Sequence, residues 1–383
     1  MKLVLVFISC ICVTIFPIKN AIASYILDDI KSNVYVKSRT QYAENDSTQW
    51  NQYSNVLLNV SFPKIDTYLD VKPHLEFGHF YNHSNPTSES MTRLTEAYVD
   101  AVLPIGILSF GEKRFSLNGG RFISDATFNL LPRTFQQISY MTPNNNIQFS
   151  YLKSTSASNS TQKHFYSNGS YIINANHLTL MDLIDINAQV FLFEDISNTY
   201  SITFSKHFNG QHLIESTVSY QTNPYNDNHS FYSSSRIFHD AIYKYSFNNQ
   251  SFRLGTRFFE GPQSSTPGFS APYSSGHAWD GYVSTYMSSI QNGFSEDFRS
   301  IFGSFSTQLN QTQFVNIHGY LFRGQSLTKN LGAEIDLCIQ DELIKNRLFW
   351  VYKVGQFIPG IDSPAPSELK MWLDFVAQLG PIN

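Results

Sequence analysis

Cysteine is scarce: Cys10, Cys12 and Cys338 are the only three in 383 residues. The first two lie in an apolar leader and the third stands alone, so one mature chain can form neither a disulfide framework nor a cysteine metal site. Charge is scarce too, at 15% of residues, where an ordinary soluble domain has ~25%. It leans acidic, with 30 Asp and Glu against 26 Lys and Arg, which argues against nucleic-acid binding. Past residue 24 there is no long apolar run, so a bundle of membrane-spanning helices is excluded and any membrane location must be built from strands. The chain also lacks a Gly-x-Ser-x-Gly elbow and a phosphate-cradling Gly-x-x-x-x-Gly-Lys loop. Neither serine hydrolysis nor nucleotide chemistry has an anchor here, and no enzyme activity or cofactor is expected.

The leader is present. Lys2 is followed by an apolar run from Leu3 to Ile18 and then Ala21-Ile22-Ala23, the charged, apolar, small-residue order of a secretory signal. The run is shorter than the ~20 residues of a spanning helix. Residues 1–23 are therefore expected to be removed and 24–383 to form one exported domain. Cleavage takes away Lys2 and Lys19 and no acid, so the mature chain is more acidic than the formal −4 of the whole.

Aromatic residues are plentiful, with 32 Phe, 22 Tyr and 4 Trp, enough to supply the interfacial girdles of a transmembrane barrel. Such a barrel demands segments of ~9 to 11 residues in which every second side chain is apolar, and these recur along the chain. Leu331, Ala333, Ile335, Leu337 and Ile339 alternate with Asn330, Gly332, Glu334, Asp336, Cys338 and Gln340. Leu369, Met371, Leu373, Phe375, Ala377 and Leu379 alternate with Lys370, Trp372, Asp374 and Gln378. The pattern predicts an all-β fold: a single transmembrane, antiparallel, up-and-down barrel of about 18 strands.

Nineteen candidate segments emerge, including 113–121, 163–173, 177–184 and 277–288; since single-chain bacterial barrels have even strand numbers, one is spurious or split. Tight turns are expected at Asn209-Gly210, Asn248-Asn249 and Asn310-Gln311, and longer loops at 80–90, 122–145, 222–236, 260–276 and 359–368. Segment 260–276 breaks the alternation of short and long connections. Pro73 falls inside a strand, where a bulge or irregular edge would accommodate it.

Several stretches resemble the alginate export family of outer-membrane channels. They are Leu94-Thr-Glu-Ala-Tyr-Val-Asp100 with Leu117-Asn-Gly-Gly-Arg121, then His277-Ala-Trp-Asp-Gly-Tyr282, and finally Leu331-Gly-Ala-Glu-Ile-Asp-Leu337, Lys353-Val-Gly-Gln-Phe-Ile-Pro-Gly360 and Trp372-Leu-Asp-Phe375. The resemblance implies a barrel of about eighteen strands whose pore passes polysaccharides or anions along lumenal arginines and lysines. Two departures stand out: Leu131-Pro-Arg-Thr-Phe-Gln-Gln137 lacks an acid that the family often places after the Phe, and the mature charge is acidic.

An anion pathway needs cations held in a narrow, partly desolvated lumen, because salt screens exposed ones. The candidates are Lys37, Arg39, Arg93, Arg121, Arg133, Arg253, Arg257, Arg299, Arg323, Arg347 and Lys353. Pleat parity turns Lys37, Arg39, Arg253, Arg257 and Lys353 inward. Glu96, Asp100, Asp280, Glu334 and Asp336 share that sense. These charges either brace the lumen by pairing across it or select the solute. His74, His79 and His83 cluster in sequence but not on one face, so no zinc site is expected.

The reading is a porin-like channel of a Gram-negative outer membrane. Its partners would be outer-membrane lipid, the barrel-assembly machinery and a hydrophilic solute, an anionic saccharide among the options. Its rivals are a barrel whose long loops bind partners with little transport, a soluble carbohydrate-binding β-sandwich, and a barrel-embedded lipase or protease.

Overall fold

The computed structural model describes residues 31–44, 48–62, 70–83, 90–126, 129, 131–157, 162–180, 183–194, 196–222, 235–262, 268–275, 281–324 and 327–379. The expected signal at 1–23 and Asp280 lie outside them.

Eighteen strands form one closed sheet. They are β1 (Lys31–Glu44), β2 (Thr48–Ser61), β3 (Asp70–Asn82), β4 (Met91–Leu103), β5 (Gly106–Lys113), β6 (Thr134–Met141), β7 (Ile147–Ser156), β8 (Lys163–Leu180) and β9 (Ile184–Phe193). The second half comprises β10 (Ser197–Phe208), β11 (His212–Thr222), β12 (Ser235–Phe247), β13 (Gln250–Phe259), β14 (Phe298–Gln308), β15 (Gln313–Gly324), β16 (Lys329–Ile344), β17 (Leu348–Pro359) and β18 (Glu368–Leu379). Each strand pairs antiparallel with its sequence neighbours, and β1 also pairs with β18, from Val34 opposite Leu379 to Glu44 opposite Leu369. Closure leaves no edge strand, which is what the dry interior of a bilayer requires of a β-structure. A barrel of this strand number is wide enough to hold an aqueous channel.

Parity decides which side chains meet lipid. On β13, Phe252 and Leu254 point outward and are 47% and 61% exposed, while Arg257 and Phe259, on the alternate positions further along the strand, are buried. On β16, Ile335 is 57% exposed while Glu334 and Asp336 are buried. An alternation that would be costly in water is satisfied here by apolar solvent outside and polar partners within.

The strand count comes out as expected, by compensating differences. Segment 163–173 and the first part of 177–184 are one long strand, β8, which ends at Leu180 and has a register shift between Ala175 and Leu178 and a positive φ at His177. The described part of segment 277–288 is not a strand: residues 281–286 run mainly as turns and lead into a short helix, α1 (Met287–Asn292). Segment 113–121 is displaced, because the strand there is β5, which ends at Lys113. β6 lies inside what was expected to be loop.

With 277–288 removed, the connection 260–297 joins β13 to β14 on the same rim as the other long loops, and the anomaly in loop alternation disappears. The opposite rim carries turns such as Asn209-Gly210 and Asn248-Asn249, its longest connection being the eight residues between β2 and β3. In outer-membrane barrels the short turns face the periplasm and the long loops face outward. Pro73 sits at no bulge. It lies where β2–β3 pairing ends, beyond Ser61 opposite His74, and its carbonyl accepts from Phe62 N–H.

Candidate functional site

Two long connections turn back into the barrel: loop A (114–133), between β5 and β6, and loop B (260–297), between β13 and β14. They touch one another inside. Ile123 bridges Tyr273, Ser124 N–H donates to the Tyr273 carbonyl at 2.8 Å, and Ser275 N–H donates to the Gly120 carbonyl at 2.9 Å. Arg133 clamps the crossing, donating to the carbonyls of Tyr273 (2.5 Å) and Ser124 (3.3 Å) with its guanidinium over the Tyr273 ring. The Tyr166 hydroxyl donates to that of Tyr273 at 2.6 Å, and burial pushes the Tyr273 phenol up, so it stays neutral.

The loops are held by an apolar core inside the rim half of the barrel. Phe122 and Ile123 from loop A, and Phe269, Val283, Tyr286, Ile290 and Phe294 from loop B, pack on inward-facing Phe191, Phe238, Phe259, Phe298, Phe322 and Phe357. Phe294 stacks on Phe298 with centroids 4.3 Å apart, and Phe122 lies 5.4 Å from Phe191. Each such ring removed from water contributes roughly 1.5–3 kcal/mol, which offsets the entropy of ordering two long loops. Much of the aromatic content therefore serves this internal core, in addition to any girdle.

Polar contacts fix the loops to the wall. Arg121 reaches from loop A to Thr217 (3.2 Å), Glu215 (3.0 Å) and Asp240 (3.2 Å). Asp336 and Glu334 on β16 accept the backbone N–H groups of Tyr282 (3.0 Å) and Val283 (2.8 Å) of loop B, and Lys370 donates to the Val283 carbonyl at 2.7 Å. Gly281 has φ +85°, and a Cβ there would press on both carboxylates. The turn can approach the wall because that residue is glycine.

The remaining charges fall into three groups. At the seam between first and last strands, Asp374 accepts from Arg39 at 2.6 and 2.8 Å and from Lys37 at 3.3 Å, and Lys353 lies over the Tyr282 ring. On β12 and β13, Asp240 faces Arg121 and, at 3.9 Å, Arg257, whose guanidinium covers the Phe302 ring. Arg253, two pleat repeats from Arg257 toward the rim of short turns, points inward and has no hydrogen bond or ion pair among the described residues. On β3 to β5, Glu76 and Glu96 meet Arg114, Asp100 meets Lys113 at 3.1 Å, and Glu112 meets Lys163.

Most of the cations and acids expected in the lumen are inside, with different tasks. Lys37, Arg39, Arg257, Lys353, Glu96 and Asp100 line the wall. Arg121, Arg133, Glu334 and Asp336 anchor loops. Arg93 does likewise, donating to the carbonyls of Ala157 (2.7 Å) and Pro132. Arg323 is a correction: it pairs in register with Arg299, between buried Phe322 and Gly324 and in line with exposed Leu321. Both arginines are thus on the outer face, and exposed Arg347 sits in a turn on the opposite rim. Asp240, Glu215, Arg114 and Lys370 were not nominated. Parity alone turned Lys370 and Asp374 inward, but only the three-dimensional seam shows what Asp374 binds.

The fold defines a class of architecture: a closed, eighteen-stranded antiparallel barrel with a polar interior, the fold of solved outer-membrane porins. The chain matches no protein-family model and no curated protein. Among solved structures it is similar to three proteins of Pseudomonas aeruginosa. They are OccK2 (OpdF; TM-score 0.72, 10% identity, 93% of this chain and 99% of that one), OpdK (0.69, 13%, 93% and 100%) and OccK8 (OprE; 0.67, 12%, 93% and 99%). OpdK has also been solved with vanillate (TM-score 0.68, 13% identity, 93% of this chain and 100% of that one). At these identities the likeness is one of fold. The resemblance to the alginate export family rests on its short motifs alone.

Proposed function

We infer that the protein is an outer-membrane channel for small hydrophilic anions, of which monocarboxylates are the leading class. One observation carries the reading. Arg253 faces the lumen without a carboxylate partner among the described residues, while the acids of the same wall are engaged, Asp374 by Arg39 and Lys37 and Glu334 and Asp336 by loop backbone. A cation left facing water in a confined lumen attracts anions more strongly than one on an open surface.

The contact between loops A and B favours a small solute over a polysaccharide chain, because it divides the lumen at the rim half. The vanillate found in OpdK is a carboxylate, which agrees in charge. The reading includes export through residues 1–23 and folding by the barrel-assembly machinery. Amino-terminal sequencing of the membrane-extracted protein should begin at Ser24.

The decisive measurement is the reversal potential of purified protein in a planar bilayer under a KCl gradient. Anion preference is expected, together with reduction of the chloride current by added benzoate. Cation preference would reject the selectivity, and no conductance steps at all would favour a barrel whose loops bind partners.

A further inference from the structure

On the outer face, β14 and β15 present four directly opposed pairs in descending order from the loop rim: Arg299 with Arg323, Ile301 with Leu321, Gly303 with Gly319, and Phe305 with Ile317. The first pair sets two cations side by side, an arrangement that is destabilising unless an anion lies between them. Neither guanidinium has a carboxylate at ion-pair distance among the described residues. Arg299 lies over the Phe258 ring, and Arg323 donates to the Phe322 carbonyl at 3.2 Å and to Asn330. The two line a cavity of about 210 Å³ with Phe258, Asp297 and Leu327. Asp297 is the one acid there, and its Oδ1 accepts the Gly261 N–H at 2.8 Å, so the cavity stays net positive.

Below the arginines the wall thins. Gly303 and Gly319 leave an open notch of about 530 Å³ walled by Phe252, Leu254, Phe305, Ile317 and Ile335, residues that face lipid. The space is real at atomic scale. A Cβ on Gly319 would meet nothing within 4 Å, and one on Gly303 would meet only the Arg253 carbonyl at 3.8 Å. Arg299 and Gly303 are four residues apart, roughly 13 Å along the strand. Arg299 stands nine residues above the end of β14, which at the usual strand tilt is roughly 23 Å of height, nearly the full apolar band of a barrel.

We propose that this face is a specific lipid site: the phosphate of an anionic phospholipid sits between Arg299 and Arg323, and one of its acyl chains occupies the Gly303/Gly319 notch. Arginine is suited to the phosphate because its planar fork gives paired hydrogen bonds. The glycines are suited to the chain because their missing side chains make a groove in an otherwise convex apolar wall. The site is separate from the lumen and does not depend on which solute the channel passes.

The test uses the full barrel purified in detergent, with native mass spectrometry titrated by dimyristoyl phosphatidic acid, dimyristoyl phosphatidylcholine and inorganic phosphate. One phosphatidic acid per barrel is expected to bind in preference to phosphatidylcholine. R299Q/R323Q should weaken that binding about tenfold, equivalent to ~1.4 kcal/mol, and G303L/G319L should remove the advantage of myristoyl over hexanoyl chains. Both variants should keep wild-type heat-modifiable mobility and single-channel conductance, showing an intact barrel. The proposal is overturned if R299Q/R323Q binds phosphatidic acid as wild type does. It is equally overturned if phosphatidylcholine binds as well as phosphatidic acid, if chain length has no effect on wild type, or if inorganic phosphate competes at equal concentration.

Discussion

Arg39 grips Asp374 across the seam where the first strand meets the last, with Nε to Oδ1 at 2.6 Å and Nη2 to Oδ2 at 2.8 Å. The two residues are 335 positions apart in sequence and directly opposed in the β1–β18 ladder. Both side chains are about 5% exposed, so the pair is little screened by water or salt. It fixes the register of the one pairing that no hairpin turn can set.

That geometry makes the two partners unequal. Replacing Asp374 with Asn takes from Arg39 and partly buried Lys37 the carboxylate they share, whereas replacing Arg39 with Gln leaves Asp374 still paired to Lys37 at 3.3 Å. Breaking a buried pair from one side costs about 3–5 kcal/mol. The D374N variant should lose that much in urea unfolding from lipid vesicles, and R39Q clearly less. Equal losses would mean that Lys37 does not share the load.

The two arginines of β13 should separate selectivity from support. Arg253 is without a partner among the described residues, so R253Q should shift the reversal potential toward cations and leave the unfolding midpoint within ~0.5 kcal/mol of wild type. Arg257 is buried beside Asp240 and over Phe302. R257Q should cost stability and change selectivity less. The R253Q shift should shrink between 0.1 M and 1 M salt, since the screening length falls from about 10 Å to about 3 Å. A salt-independent shift would point to a change of pore shape instead.

Loop B should be releasable. Glu334 and Asp336 each accept a backbone N–H of that loop, and hydrogen bonds to charged groups contribute about 1.5–3 kcal/mol each. Single-channel recordings of an E334A/D336A variant are expected to show larger and noisier conductance with the barrel intact by heat-modifiable mobility. Unchanged conductance would show that the aromatic core alone holds the loop.

How far this could be read in advance depended on where along a strand the residues lay. β16 was legible because Ala333 to Ile339 alternate with lipid on one side, whereas Leu331, expected on the same row, is skipped at a register shift and is buried in the loop core. β6 was not: its outward row offers only Ile138 and Tyr140 beside Gln136, while Phe135 turns inward to the loop core. Near the rim both faces of a strand are apolar, as in Phe258-Phe259 and Leu321-Phe322, because one meets lipid and the other a folded loop. Such doubled apolar residues at strand ends were the available sign of the core, and a search for strict alternation passes over them. Segment 277–288 misled for the converse reason: Val283 and Tyr286 are spaced for a core, and the core lies inside the barrel. The inward cations followed from parity on β1, β13 and β17. Arg323 was nominated for its charge alone; parity along β15, in line with exposed Leu321 and opposite to buried Phe322, turns it outward.

The facing itself can be tested on a single strand pair. Leu254 on β13 is 61% exposed and points outward five residues into a ten-residue strand, close to the middle of the apolar band. An arginine there must sit in hydrocarbon, and L254R should destabilise the barrel by about 2–4 kcal/mol. Ser304 on β14 pairs in register with inward-facing Arg253, so a charge placed there meets the water of the lumen and an opposite charge. S304E should therefore cost little and should weaken anion preference. Urea unfolding of both variants from phosphatidylcholine vesicles makes the comparison. If S304E were the more damaging of the two, the inside and outside of this wall would have to be exchanged, and the lumenal assignment of Arg253 would go with it.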